Sequence, residues 1–195
     1  MLFRSIYMNK TKRKIFETSM KLFAEKGYDA TSIEEITSVV GVAKGTLYYH
    51  FSSKEEIFHF LIDEGMKLLQ NSITIKTSQK SSSIEKLKSV ILIQLKVLYK
   101  YEDFITIIFS QIWGNEPRNQ ECKKYVIQYL QIVENIIRDG INNKEIRNVD
   151  PETIASEIFS TTCISLINNI KREEKIDIVA MYKKLEQLVF NGLLR

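Results

Sequence analysis

Lys44, Thr46, Tyr48, Tyr49 and His50 fall within seven consecutive residues. Together they offer an ammonium, a hydroxyl, two phenols and an imidazole. Such groups donate to phosphate oxygens and to the edges of bases, and phenol rings pack on sugars or thymine methyls. Gly45 sits among them and has no side chain, so the backbone there can come close to a partner. Tyr48 and Tyr49 are adjacent, and neighbours on a helix point about 100° apart, so at most one can be fully buried. No paired acid–base constellation, glycine-rich phosphate loop or nucleophile elbow is present. His50 and His59 are nine positions apart, which is no metal-ligand spacing within a helix. The chain therefore does not read as an enzyme, and no metal or cofactor is expected.

These groups need a rigid platform, and the flanking residues supply one. A helix is expected over Lys10–Lys26, with Ile15, Phe16, Ser19, Leu22 and Phe23 on one stripe and Gly27 as its C-cap. Thr31-Ser32-Ile33-Glu34-Glu35 holds two overlapping capping boxes, Thr31 with Glu34 and Ser32 with Glu35. A short helix should start there and stop near Val40, because Gly41 follows. A third helix, about Lys44–His50, would anchor through Val42 and Leu47. Short helix, glycine turn, short helix is the helix-turn-helix arrangement. Ser52 and Ser53 followed by Glu55 and Glu56 restart the chain in a long fourth helix.

The segment TSIEEITSVVGVAKGTLYYHFSSKEEIF resembles the DNA-binding signature of the TetR family of regulators. The resemblance is strong over residues 10–60. It implies a recognition helix at Lys44–His50, with Lys44, Gly45 and Thr46 toward base edges and Tyr48, Tyr49 and His50 on phosphates, sugars or a thymine methyl. It also implies that Thr31 and Lys54, at the starts of flanking helices, clamp phosphates. Phe51 would close the domain core, and Lys10, Lys12, Arg13 and Lys14 could form a basic arm. Three positions depart from the family pattern: Ala43 where Ser is usual, and Thr37 and Val40 where Ala is usual.

The rest of the chain also reads as helix, so the fold class is all-α. An N-terminal three-helix domain (1–53) should precede a helical-bundle domain for effector binding and dimerisation (54–195). Polar residues 76–83 mark a loop. Helices follow at about Ile84–Tyr101, Phe104–Trp113 and Glu121–Asp139, with Gly114–Pro117 and Gly140–Val149 as breaks. Asp150-Pro151-Glu152 starts another helix, reaching about Ile170, by a capping acid and a proline at the first position. The last helix spans about Asp177–Leu194. The resemblance places an effector cavity in this bundle, for which the aromatic set Phe60, Tyr99, Phe104, Trp113, Tyr125, Tyr129 and Phe159 is the candidate lining. It also places the dimer contact on the last two helices, where Ile158, Leu166, Ile170, Ile178, Tyr182, Leu185 and Val189 are the candidate face. The expected partners are double-stranded operator DNA, a largely apolar small effector and a second copy of the chain. A helical sensor or carrier without DNA binding is the competing reading, which the retained Lys44–His50 surface disfavours.

Composition agrees with this division. The chain has 195 residues, 44% hydrophobic and 27% charged, and a net charge of +4. Residues 1–54 carry nine Lys or Arg against five Asp or Glu, so all the excess positive charge lies there. Cys122 and Cys163 read as free thiols. The N-terminus is too short and polar for a signal peptide, no apolar run reaches the length of a membrane span, and a cytoplasmic protein is expected. The residues before Met8 read as a short frayed extension, with Met8 as an alternative start of translation.

Overall fold

The computed structural model describes residues 8–170 and 177–193, and every regular element among them is a helix. In chain order these are α1 (Lys10–Lys26), α2 (Ile33–Val40), α3 (Lys44–His50), α4 (Lys54–Thr77), α5 (Ser83–Lys100), α6 (Glu102–Gln111), α7 (Pro117–Asn142), α8 (Pro151–Ile170) and α9 (Ile178–Leu193). No helix among the described residues is long and apolar enough to cross a membrane.

The ends of these helices follow local chemistry. Asn9 caps α1 by accepting from the Lys12 amide at 2.8 Å, and Ser82 caps α5 by accepting from Glu85 at 3.1 Å. Asp150 accepts from the amide and hydroxyl of Thr153 ahead of Pro151, the first residue of α8. Pro117 does not belong to a break, as the sequence was expected to show. It opens α7, where a proline loses nothing because the first amides of a helix have no partner. Gly140 likewise does not end α7, which continues to Asn142. It is buried, and a Cβ there would run into Ile146 and Ser83, so its role is close approach rather than chain reversal.

The contacts divide the chain into two compact units. One holds the residues up to Leu68 together with Asp103–Tyr125; the other holds Leu69–Glu102 and the residues from Val126 on. The helix-turn-helix segment is thus grouped with α6 and the first turns of α7, beyond the 53/54 boundary suggested by the motif alone.

In the first unit, Ile15, Phe16 and Phe23 of α1, Ile36 and Val40 of α2, Leu47 of α3, and Phe51, Phe58 and Leu61 are buried. Edge-to-face rings tie the segments together: Phe60 meets Phe16 at 5.5 Å and Phe51 at 5.7 Å, and Tyr28 meets Phe58 at 5.1 Å. The start of α7 adds polar ties along one face. Arg118 pairs with Asp29 at 2.7 Å and lies over the Tyr28 ring, Glu121 pairs with His59, and Tyr125 donates to Asp63 at 2.6 Å.

In the second unit, α5 packs against α8 and α9 through Leu87, Val90, Ile91, Leu95, Ala155, Ile158, Leu166 and Leu185. Its interior holds a polar cluster. Tyr129 donates to Gln94 Oε1 at 2.6 Å, and Gln94 Nε2 donates to the Phe159 carbonyl at 3.1 Å and approaches Cys163 Sγ at 3.6 Å. Glu145 covers the start of α5 by accepting from the Ser83 amide at 2.7 Å.

Candidate nucleic-acid interface

The turn between α2 and α3 is built from the backbone outward. Ser32 caps α2 by accepting from the Glu35 amide at 3.0 Å. Gly41 adopts φ +77°, the left-handed conformation that ends a helix at least cost for glycine, and its amide closes on the Thr37 carbonyl at 2.9 Å. Ile36, Val40 and Leu47 then lock α2 and α3 into the core. The departures Thr37 and Val40 are both absorbed there, and the Thr37 hydroxyl is satisfied by the Glu34 carbonyl at 3.0 Å. Ala43 precedes α3 and supplies no side-chain cap.

What remains outside on α3 is the set singled out by its chemistry. Lys44, Gly45, Tyr48 and Tyr49 are exposed, and Thr46 and His50 are half-buried. Tyr49 is 84% exposed, far more than the fold requires of a large ring. Its only ring neighbour among the described contacts is His50, at 5.0 Å. Gly45 has open space where a Cβ would stand and no left-handed backbone, so nothing within the chain demands glycine there. Lys44 pairs with Glu34 across the turn at 2.5 Å, which raises the pKa of the lysine and lowers that of the carboxylate through their hydrogen bond.

Two flanking residues stand differently from what the family pattern implies. Thr31 is 1% exposed, and its hydroxyl donates to the carbonyls of Gly27 at 2.9 Å and Leu22 at 3.3 Å. It finishes the α1–α2 connection and has no donor left for a phosphate; the exposed hydroxyl at the start of α2 is Ser32. Lys54 turns inward. Its ammonium donates to the carbonyls of Tyr28 and Thr31, each at 2.8 Å, and lies 4.3 Å from the centre of the Tyr28 ring. Two of its three N–H groups therefore hold the loop before α2. In the basic cluster, Lys14 donates to the last carbonyl of α2, Val40, at 2.7 Å, and Lys12 lies over the rings of Phe51 and Phe60. Lys14 nevertheless stays exposed, as Lys10 does, while Lys12 and Arg13 are half-buried.

The aromatic residues proposed for an effector cavity are scattered by the fold. In the first unit, Phe60 belongs to the ring cluster with Phe16 and Phe51, and Phe104 is buried against Gly65. Tyr125 is half-buried and spends its hydroxyl on Asp63, and burial together with that carboxylate raises its pKa. Trp113 is 79% exposed and lines no interior wall. In the second unit, Tyr99 is exposed, whereas Tyr129 and Phe159 are brought together at 5.2 Å beside Gln94 and Cys163. Gln94 and Cys163 carried no signal as a pair, since they are 69 residues apart.

The candidate dimer face also changes. Leu166 and Leu185 are buried within their own chain, and so is most of Ile158, although Ile158 also lines the open groove on this face. Ile178, Tyr182 and Val189 are half-buried, and the side chain of Ile170 lies outside the described residues. A groove of about 370 Å³ opens on this face, lined by Ile154, Ile158, Thr161, Leu188 and Val189, with Arg147 and Glu157 at its polar positions; Ile164 and Val179 are further exposed apolar residues of α8 and α9. Leu188 is 65% exposed there.

Comparison with known proteins accounts for nearly the whole chain. Residues 15–60 match the pattern described as bacterial regulatory proteins, tetR family, and residues 62–192 match the YsiA-like protein C-terminal region. The chain is 25% identical over 182 residues to the fatty acid metabolism regulator protein of Bacillus subtilis, covering 92% of this chain and 94% of that one. It is 33% identical over 138 residues to the helix-turn-helix-type regulator YerO of the same organism, covering 69% of this chain but 46% of that longer protein. Among solved structures, a candidate fatty acid metabolism regulator of Clostridium perfringens superposes with a TM-score of 0.86 at 31% identity, over 93% of this chain and 99% of that one. The regulator FadR of Bacillus subtilis, solved with stearoyl-CoA, superposes with a TM-score of 0.79 at 26% identity, over 92% and 98%.

Proposed function

The chain belongs to the TetR family of bacterial regulatory proteins, and from that premise we propose that it is a dimeric repressor released from its operator by a fatty acyl-CoA. The observation that carries the DNA-binding part is the α3 surface. Tyr48, Tyr49, Lys44 and Gly45 stand outside a helix that is anchored firmly by Leu47, and the fold makes little use of them. Two such helices in a dimer read two half-sites. The dimer forms through the groove on α8 and α9 lined by Ile154, Ile158, Thr161 and Leu188.

The effector class rests on the relatives. A regulator 26% identical over nearly its full length was solved with stearoyl-CoA, and another at 31% is a candidate fatty acid metabolism regulator. The test is fluorescence anisotropy with a duplex enriched by the full chain from a random library. Stearoyl-CoA should release the labelled duplex, while free coenzyme A and stearate at the same concentration should not. Undiminished binding at saturating stearoyl-CoA, and at saturating short-chain acyl-CoA, would reject the effector class and leave the DNA-binding part standing.

A further inference from the structure

The face that meets DNA carries a carboxylate. Glu34 lies in the first turn of α2, and its Oε1 accepts from Lys44 Nζ at the first position of α3. Both side chains are exposed, at 67% and 52%. An exposed ion pair contributes little to stability, and the turn is already held by Gly41 and the buried Ile36, Val40 and Leu47. An uncompensated carboxylate next to a recognition helix would repel a polyanion. Bonded to Lys44, it instead makes the start of α3 electrically neutral and fixes where the ammonium points.

We propose that Glu34 and Lys44 act as one specificity-determining unit, which reads a G·C pair in the major groove and keeps Lys44 from serving as a free phosphate ligand. The edge of a G·C pair presents the O6 and N7 acceptors of guanine beside the N4 donor of cytosine. Lysine donates to the first two, and glutamate accepts from the third. A donor and an acceptor already bonded to each other across α2 and α3 present the complement of that edge from two helices at once. The lysine lies at the N-terminal end of the recognition helix, the part that reaches base edges in helix-turn-helix proteins. The same bond discriminates against other DNA. On a duplex without the matching pair, Glu34 must either lose its lysine or stay as a buried negative charge, so non-specific binding gains nothing from Lys44.

This assignment rests on α3 being the DNA-reading helix, and the test separates the two. The full chain is first used to enrich duplexes from a random library. Binding to the enriched duplex and to a random duplex is then measured across salt for wild type, Glu34→Gln, Glu34→Ala, Lys44→Ala and the double variant Glu34→Gln/Lys44→Ala. Glu34→Gln should bind random duplex about tenfold more tightly, with a log–log salt slope steeper by about 0.9 per subunit, because one more cation now reaches phosphate. In the Lys44→Ala background the same change should leave the slope where it was. Enriched half-sites should carry one G·C pair that both Glu34→Ala and Lys44→Ala cease to prefer, with the other positions retained. Melting temperatures of all variants should match wild type, since both residues are exposed. An unchanged slope for Glu34→Gln, or a steepening that persists without Lys44, would overturn the proposal. So would variants that keep the full base preference. Failure of wild type to bind any duplex would instead remove the reading of α3 itself.

Discussion

Replacing Lys54 by methionine keeps the aliphatic stem and removes only the ammonium. In the structure that ammonium donates to two carbonyls, Tyr28 and Thr31, at 2.8 Å each, and lies over the Tyr28 ring. Hydrogen bonds from a charged group contribute about 1.5–3 kcal/mol apiece. The side chain is half-buried, so water can reach part of what is left unpaired, and the net loss should be about 2–3 kcal/mol. For a chain of this length each kcal/mol shifts the melting temperature by about 2–4 °C, giving a drop of about 5–10 °C. The assay is thermal unfolding followed by far-ultraviolet circular dichroism without DNA, paired with the salt dependence of binding to duplex. With Lys54 as a tether, melting temperature drops and the salt slope changes by less than one full phosphate contact. A melting temperature within about 1 °C of wild type, with the slope lowered by about 0.9 per subunit, would refute it. The ammonium would then belong to a phosphate, as the family pattern implies.

Tyr129→Phe leaves Gln94 Oε1 buried without its donor, so the chain should lose about 1–3 kcal/mol in denaturant unfolding. Gly65→Ala drives a Cβ into the buried Phe104 ring and should destabilise by about 1–3 kcal/mol in the same assay. The carboxyl of Glu56 is held below its ordinary 4.5 chiefly by hydrogen bonds from Ser52. Asp63 is held below 3.8 because bonds from Lys67 and Tyr125 outweigh an opposing burial effect. Their stabilisation is full above those ordinary values and is lost as pH falls through the lower folded ones, so melting temperature should decline below about pH 4.5, and less steeply in Tyr125→Phe. Burial pushes the Cys122 thiol up to about 12 and raises that of Cys163. Neither should react with a thiol reagent near pH 8 until denaturant is added, and prompt labelling of the native chain would contradict the buried placement. Leu188→Glu should shift sedimentation toward the monomer.

Features set by neighbours in sequence were legible before the fold was known. Gly27, Gly41, Ser32 and Asp150-Pro151 act on their own turn of chain, and they place the ends of α1 and α2 and the start of α8. The α3 surface was legible for the same reason, since a seven-residue helix between two anchors exposes what its apolar residues do not use. The misplaced residues depend on distant partners. Two capping boxes overlap at Thr31 and Ser32, and only carbonyls of α1 and Gly27 decide that Thr31 turns inward. Lys54 finds its acceptors 23 and 26 positions away. On α8 and α9, apolar residues lie on more than one side, so periodicity alone cannot tell the chain's own core from a face for a second copy. Ile158 and Leu185 went to the core, and Leu188 to the surface. Trp113 follows the same logic: its aromatic character suggested a pocket wall, but it lies past the last residue of α6 and faces outward.

On this reading the exposed residues of α3 bind operator DNA. The most direct test is the affinity of wild type and Tyr49→Ala for a duplex enriched from random sequence by the full chain, with melting temperatures measured alongside. An enriched site with two related half-sites is expected, together with a loss of at least about tenfold for Tyr49→Ala, equivalent to about 1.4 kcal/mol, and no change in stability. No enrichment at about 50 mM salt, where non-specific contacts are strongest, would contradict it, and so would wild-type affinity in Tyr49→Ala.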